Sequence, residues 1–82
     1  MVEVYISKTG RTPMGKSKNG IFRNTDALQL SAKVMEHLGD DDLDEIIWGA
    51  VQQYGPQGYN VGRNAALLAG INDRIPAQTI NR

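Results

Sequence analysis

The chain contains no cysteine, so neither a disulfide nor a thiolate nucleophile can come from these 82 residues. There is a single histidine, His37, which cannot complete a metal cage by itself. Aromatic residues are scarce at 6%, with one tryptophan and one phenylalanine. Charge of one sign is also missing. Nine basic and nine acidic residues cancel, which disfavours nucleic-acid and membrane-surface binding, since both draw on net positive charge. No apolar run approaches the roughly 20 residues that span a bilayer. Met1-Val2-Glu3-Val4 lacks the basic, apolar and small-residue zones of a signal peptide, so the cytoplasm is the expected compartment. A domain of this length buries only about 60% of the surface its unfolded chain exposes. The chain is therefore expected to fold marginally or to lean on a partner.

The balanced charge conceals a segregated one. Residues 1–23 hold five basic residues (Lys8, Arg11, Lys16, Lys18, Arg23) and one acid, net +4. Residues 24–50 hold seven acids and one base, net −6. This reads as a basic loop and an acidic loop on one unit, with the Asp40-Asp41-Asp42 run as a solvated turn.

Val2, Val4 and Ile6 alternate with Glu3, Tyr5 and Ser7, the period of a strand. Gly10 to Gly20, with three glycines and one proline, is a loop. Thr25 or Asp26 is placed to cap a helix whose apolar face is Leu28, Ala32 and Met35, with Gly39 as its stop. The run Ile46-Ile47-Trp48-Gly49-Ala50-Val51 suits a strand buried on both faces, with Trp48 in the core. Asn60 is placed to cap a second helix with Val61, Ala65 and Leu68 on one face and Gly70 at its end. Its alanines (Ala65, Ala66, Ala69) keep that helix thin, so a neighbour can approach closely. Residues 75–82, with Pro76 at the start, read as a last strand. The expected architecture is α/β, in the order βαβαβ, with a three-stranded, mainly parallel sheet and two helices. Because the last strand runs to the final residue, residues 1–82 are expected to be a single incomplete domain.

Gly10-Arg11-Thr12-Pro13-Met14-Gly15-Lys16-Ser17 fits the phosphate-cradling pattern G-x-x-x-x-G-K-[ST] and follows a strand pattern. Its context opposes nucleotide binding. Such a loop runs directly into a helix N-terminus, whereas here Lys18-Asn19-Gly20 follows. The acids Asp44 and Glu45 also precede the second strand instead of ending it. Nucleotide binding through residues 10–17 is kept only as an alternative.

Four stretches in order resemble the N-terminus of the thiolases, and among them the bacterial 3-ketoacyl-CoA thiolases. They are Arg11-Thr12-Pro13-Met14-Gly15-Lys16; Asp44 to Gly49 leading to Val51-Gln52-Gln53; Asn60 with Gly62-Arg63-Asn64-Ala65-Ala66-Leu67-Leu68-Ala69; and Ile75-Pro76-Ala77-Gln78-Thr79-Ile80-Asn81-Arg82. The resemblance implies acyl transfer between a 3-ketoacyl-CoA and coenzyme A in fatty-acid β-oxidation, through a cysteine thioester, with a histidine and a second cysteine handling protons. It implies that the nucleophile follows Arg82 after one further residue, so Asn81 and Arg82 are the approach to the nucleophile loop and the 82 residues are inactive alone. It further implies a subunit interface involving Gln52, Tyr54, Arg63, Asn64, Thr79 and Ile80. No catalytic, metal-binding or cofactor-binding residue is expected within the chain. His37 reads as a helix-end residue that meets the negative end of the dipole. Expected partners are the rest of a thiolase chain or a second copy, with acyl-CoA and CoA only in the longer enzyme, and neither nucleic acid nor membrane. The second reading is a stand-alone self-association module without catalysis.

Overall fold

A computed structural model describes residues 2–82. Helix α1 spans Ala27–Leu38, strand β1 Ile46–Gly49, helix α2 Val61–Leu68 and strand β2 Ala77–Ile80, with one 3-10 turn at Gly55–Gln57 between β1 and α2. The two strands pair in parallel, in register from Ile46 opposite Ala77 to Gly49 opposite Ile80. The pairing extends at both ends through Ile46 N–H to the Pro76 carbonyl and Ala50 N–H to the Ile80 carbonyl, each at 2.9 Å. Residues between β1 and β2 therefore form a β-α-β unit around α2, as the alternating sequence pattern requires.

Helix α1 starts where an acceptor is available. Asp26 is extended, and its carboxylate accepts the Gln29 N–H at 2.9 Å. It ends at Gly39, where φ is +77° and the N–H returns to the Met35 carbonyl. Ser31, Ala32 and Met35 are buried on one face, and Leu28 packs beside them. Helix α2 is shorter and thinner. Val61, Gly62, Ala65 and Ala66 are its buried residues, a stripe broad enough to meet α1 on one side and the sheet on the other. The helix closes with Gly70 N–H on the Leu67 carbonyl and Ile71 N–H on the Ala66 carbonyl, the paired bonds of a glycine-terminated helix. Gly70 has φ +81°, which a Cβ would oppose. This reversal returns Ile71 to the core formed with Met35, Ile46, Ala65, Ala66 and Ile75.

Three expectations need correction. Val2–Ser7 is not a strand, so the sheet of the described residues has two strands instead of three. Val2, Val4 and Ile6 are 85–90% exposed. A period-two pattern states which residues share a face but supplies no partner, and unpaired strands in water gain little. Second, β1 is not buried on both faces. Ile46 and Trp48 turn toward the helices, while Ile47 stays 58% exposed on the other side. Third, the buried face of α2 does not include Leu68, which is 59% exposed and borders a surface hollow with Phe22 and Leu30. Ile71, brought back by the Gly70 turn, takes the place in the core that Leu68 was expected to fill.

Candidate functional site at the end of the second strand

The glycine-rich segment before α2 ends in two consecutive residues with positive φ, Tyr59 at +51° and Asn60 at +60°. For a tyrosine this is an uncommon backbone state; for asparagine it is tolerated. The conformation directs the Asn60 side chain into the junction between α2 and β2. Asn60 Oδ1 accepts the Arg63 N–H at 3.3 Å, which caps the helix. The same oxygen accepts the Thr79 hydroxyl at 2.6 Å, and Asn60 Nδ2 donates to the Ala77 carbonyl at 3.0 Å. Thr79 Oγ1 in turn accepts the Gly62 N–H at 2.9 Å. One asparagine and one threonine thus join the start of α2 to the first and third residues of β2.

The close approach depends on Gly62. A Cβ there would lie 2.9 Å from Trp48 Cβ, 3.1 Å from Thr79 Oγ1 and 3.3 Å from the Gln78 carbonyl oxygen. Trp48 and Thr79 are opposite one another in the sheet, so Gly62 sits directly over that pair. Trp48 is partly buried against the core, as its place in an apolar run predicts, and its Nε1–H donates to Ser31 Oγ of α1 at 3.1 Å.

The residues singled out in the sequence are distributed as follows. Asn81 and Arg82 are exposed, immediately past β2. Thr79 is the centre of the network above. Ile80 is 38% exposed on the uncovered face of the sheet. Arg63 does not offer its guanidinium outward, because it donates to the Ile75 and Asp73 carbonyls, both at 2.9 Å, and so clamps the turn that leads into β2. Asn64 donates to the Tyr59 carbonyl at 3.0 Å. Gln52 and Tyr54 are exposed and bonded to each other at 3.1 Å. His37 is exposed in the last turn of α1. The link from Asn60 to β2 was missed in the sequence. Its only signal there is the Asn-x-Gly spacing, which announces a cap but not what else the cap holds.

Neither hydroxyl in this region is poised as a nucleophile. Thr79 donates to an amide oxygen and Ser31 accepts from an indole, so neither has a general base as partner. The Tyr5 phenol is held above the usual tyrosine range by its bond to the Glu3 carboxylate and slight desolvation, but it belongs to the exposed N-terminal arm. The phosphate-loop alternative also lacks its helix. Ser17 to Asn24 form turns and a bend, and α1 begins only at Ala27.

The profile of the thiolase N-terminal domain matches residues 4–82. This chain belongs to the thiolase family. The 3-ketoacyl-CoA thiolase of Aliivibrio fischeri is 48% identical over 89 aligned positions, which cover 100% of this chain and 23% of that protein. The 3-ketoacyl-CoA thiolase of Pseudoalteromonas translucida is 53% identical over 79 positions, covering 88% of this chain and 20% of its own length. That of Shewanella frigidimarina is 49% identical over 89 positions and is covered to 23%. The chain thus spans less than a quarter of the length of these thiolases.

Proposed function

We propose that residues 1–82 are the first, incomplete part of the N-terminal domain of an acyl-CoA C-acyltransferase, a cytoplasmic 3-ketoacyl-CoA thiolase of fatty-acid β-oxidation. Acyl-CoA and CoA are partners of the longer enzyme only. The observation that carries the reading is the match of the thiolase N-terminal domain over residues 4–82. Acyl transfer by a thiolase passes through a cysteine thioester, and these residues include no cysteine. They therefore act as scaffold: they place the exit of β2 while the thiolate comes from elsewhere in the enzyme. The finer fold expectation belongs here too. Ser7 and Lys8 line the same hollow of about 480 Å³ as Ile46, Ile47 and Trp48. That contact at the end of the Val2–Ser7 segment supports reading the segment as the third strand in the longer chain.

The test has two arms. The purified 82-residue chain is given acetoacetyl-CoA and CoA, and no thiolysis is expected; cleavage free of host enzyme would overturn the scaffold reading. Residues 1–82 are then joined to the remainder of the Aliivibrio fischeri relative, and thiolysis is expected. A folded but inactive chimera would overturn the acyltransferase reading.

A second reading, self-association, is favoured by the bare sheet face, where Ile47 and Ile80 are exposed, and by the exposed Val51 and Tyr54 beside it. Of the expected contact residues, Gln52, Tyr54 and Ile80 are free to contribute under this reading, whereas the Arg63, Asn64 and Thr79 side chains are engaged within the chain. A monodisperse 9.0 kDa species by light scattering would rule it out for the isolated chain.

A further inference from the structure

Strand β2 is held on two sides by different means. On one side is β1. The carbonyls of Pro76 and Ile80 point that way, since both accept from β1 and its extension. Carbonyls alternate along a strand, so Ala77 presents its own to the opposite edge. That is the carbonyl Asn60 Nδ2 occupies at 3.0 Å. Two residues further on, the Thr79 hydroxyl is fully engaged, donating to Asn60 Oδ1 and accepting from Gly62 N–H. The three bonds and the Gly62 contact meet within one turn of helix and one strand. No water or charged group is needed to complete them.

A helix cap does not need this geometry. Capping uses only the acceptor, Asn60 Oδ1, toward Arg63 N–H. The donor half of the amide adds nothing to the cap and acts wholly on β2. The Thr79 hydroxyl does both, since it also takes the Gly62 N–H, one of the first-turn donors that the helix leaves free. We infer that Asn60 and Thr79 are positioning residues: with Gly62 N–H they latch β2 to the start of α2 and fix the path on which Asn81 and Arg82 leave the sheet. The consequence for catalysis rests on the acyltransferase reading above, whereas the latch itself does not. A hydroxyl two residues before Asn81 holds that exit from the α2 side, where the Ala50 bond to the Ile80 carbonyl holds it only from the β1 side.

Three substitutions test the latch, and Asn60→Asp separates it from the cap. Thr79→Val keeps the shape and removes both bonds of the hydroxyl, and Thr79→Ser restores them. Asn60→Asp keeps a capping oxygen, and aspartate caps as well as asparagine, but it loses the donor to Ala77. In the 82-residue chain, amide exchange at Gly62 is expected to quicken about tenfold in Thr79→Val and to stay near the parent value in Thr79→Ser. In the chimera with the Aliivibrio fischeri sequence, Thr79→Val and Asn60→Asp are expected to lower kcat about tenfold or more with KM for CoA changed less than about twofold, and Thr79→Ser to retain most of kcat. Unchanged Gly62 exchange in Thr79→Val overturns the latch. So does an Asn60→Asp chimera with parental kcat, which also decides the matter if Thr79→Val does not fold. If the parent chimera folds but does not cleave acetoacetyl-CoA, the acyltransferase reading fails, and amide exchange still decides whether the latch exists.

Discussion

Substituting alanine for Gly62 sets two known effects against each other at one atom. Alanine is the better helix former by up to about 1 kcal/mol, so on propensity alone the change stabilises. The new Cβ, however, would lie 2.9 Å from Trp48 Cβ and 3.3 Å from the Gln78 carbonyl oxygen. The first neighbour is the root of a partly buried side chain and the second is strand backbone, so neither yields by a simple rotation. Relief requires α2 to lift from the sheet, which stretches the 2.9 Å bond from Gly62 N–H to Thr79 Oγ1. Overpacking of this kind costs about 1–3 kcal/mol, and loss of the hydrogen bond adds about 1. The net expectation is a loss of about 1–3 kcal/mol, which for a domain this small is a melting temperature lower by roughly 5–15 °C. Trp48 lies under the contact and serves as the fluorescent reporter of thermal and urea unfolding. Gly49→Ala is the matched control, because nothing lies within 4 Å of a Cβ there and φ is not positive. If Gly62→Ala is as stable as the parent, or more stable, the close approach of α2 to the sheet is not as described and the reasoning fails.

Three further predictions test the joints around that contact. Ser31→Ala and Trp48→Phe are expected to couple by about 0.5–1.5 kcal/mol in a double-mutant cycle read by urea denaturation, since the two share the bond between α1 and β1; additive effects would refute it. Arg63→Lys is expected to lose about 1 kcal/mol, because an ammonium replaces a planar fork that reaches both the Asp73 and Ile75 carbonyls; an unshifted urea midpoint would count against the clamp. Asp26→Ala is expected to lose about 1 kcal/mol and some helical circular dichroism while Asp26→Asn stays near the parent, and equal losses in both would mean that charge, not capping, is what Asp26 supplies.

Much of the local structure was legible because local chemistry determines it. Asp26, Gly39, Asn60 and Gly70 mark helix ends through caps and positive φ, and these signals need no tertiary information. The face of α1 followed from spacing alone, whereas the apolar run around Trp48 pointed to the core without showing that only one face of β1 is covered. What sequence could not supply was partnership. Val2, Val4 and Ile6 carry the pattern of a strand, yet pairing is a property of two segments, and among the described residues this one pairs with none. Leu68 has the right phase to be buried, but the Gly70 reversal delivers Ile71 to the core instead. At the site, Thr79, Asn81 and Arg82 were named from resemblance. The residue that organises them, Asn60, was read only as a cap, because the second use of its amide depends on a strand 17 residues away.

The small residues of α2 explain how so short a chain brings its parts this close. Gly62 lies over the Trp48–Thr79 pair, while Ala65 and Ala66, both essentially inaccessible, join Met35 of α1 and Ile46 of β1 in one cluster. A helix lined by leucine on these sides would stand farther from the sheet, beyond hydrogen-bond reach of Thr79, since interaxial and interlayer distances follow side-chain size. Thinness and latch are therefore one feature: glycine and alanine bring the backbone near, and Asn60 and Thr79 then hold it. The arrangement leaves little apolar area to bury. Stability must come from capping, the Arg63 clamp and the latch, together with whatever covers Ile47 and Ile80 on the open face. A chain built this way fixes the exit of β2 through close backbone approach and a few directed bonds, while Ile47 and Ile80 stay uncovered on the other face of the sheet.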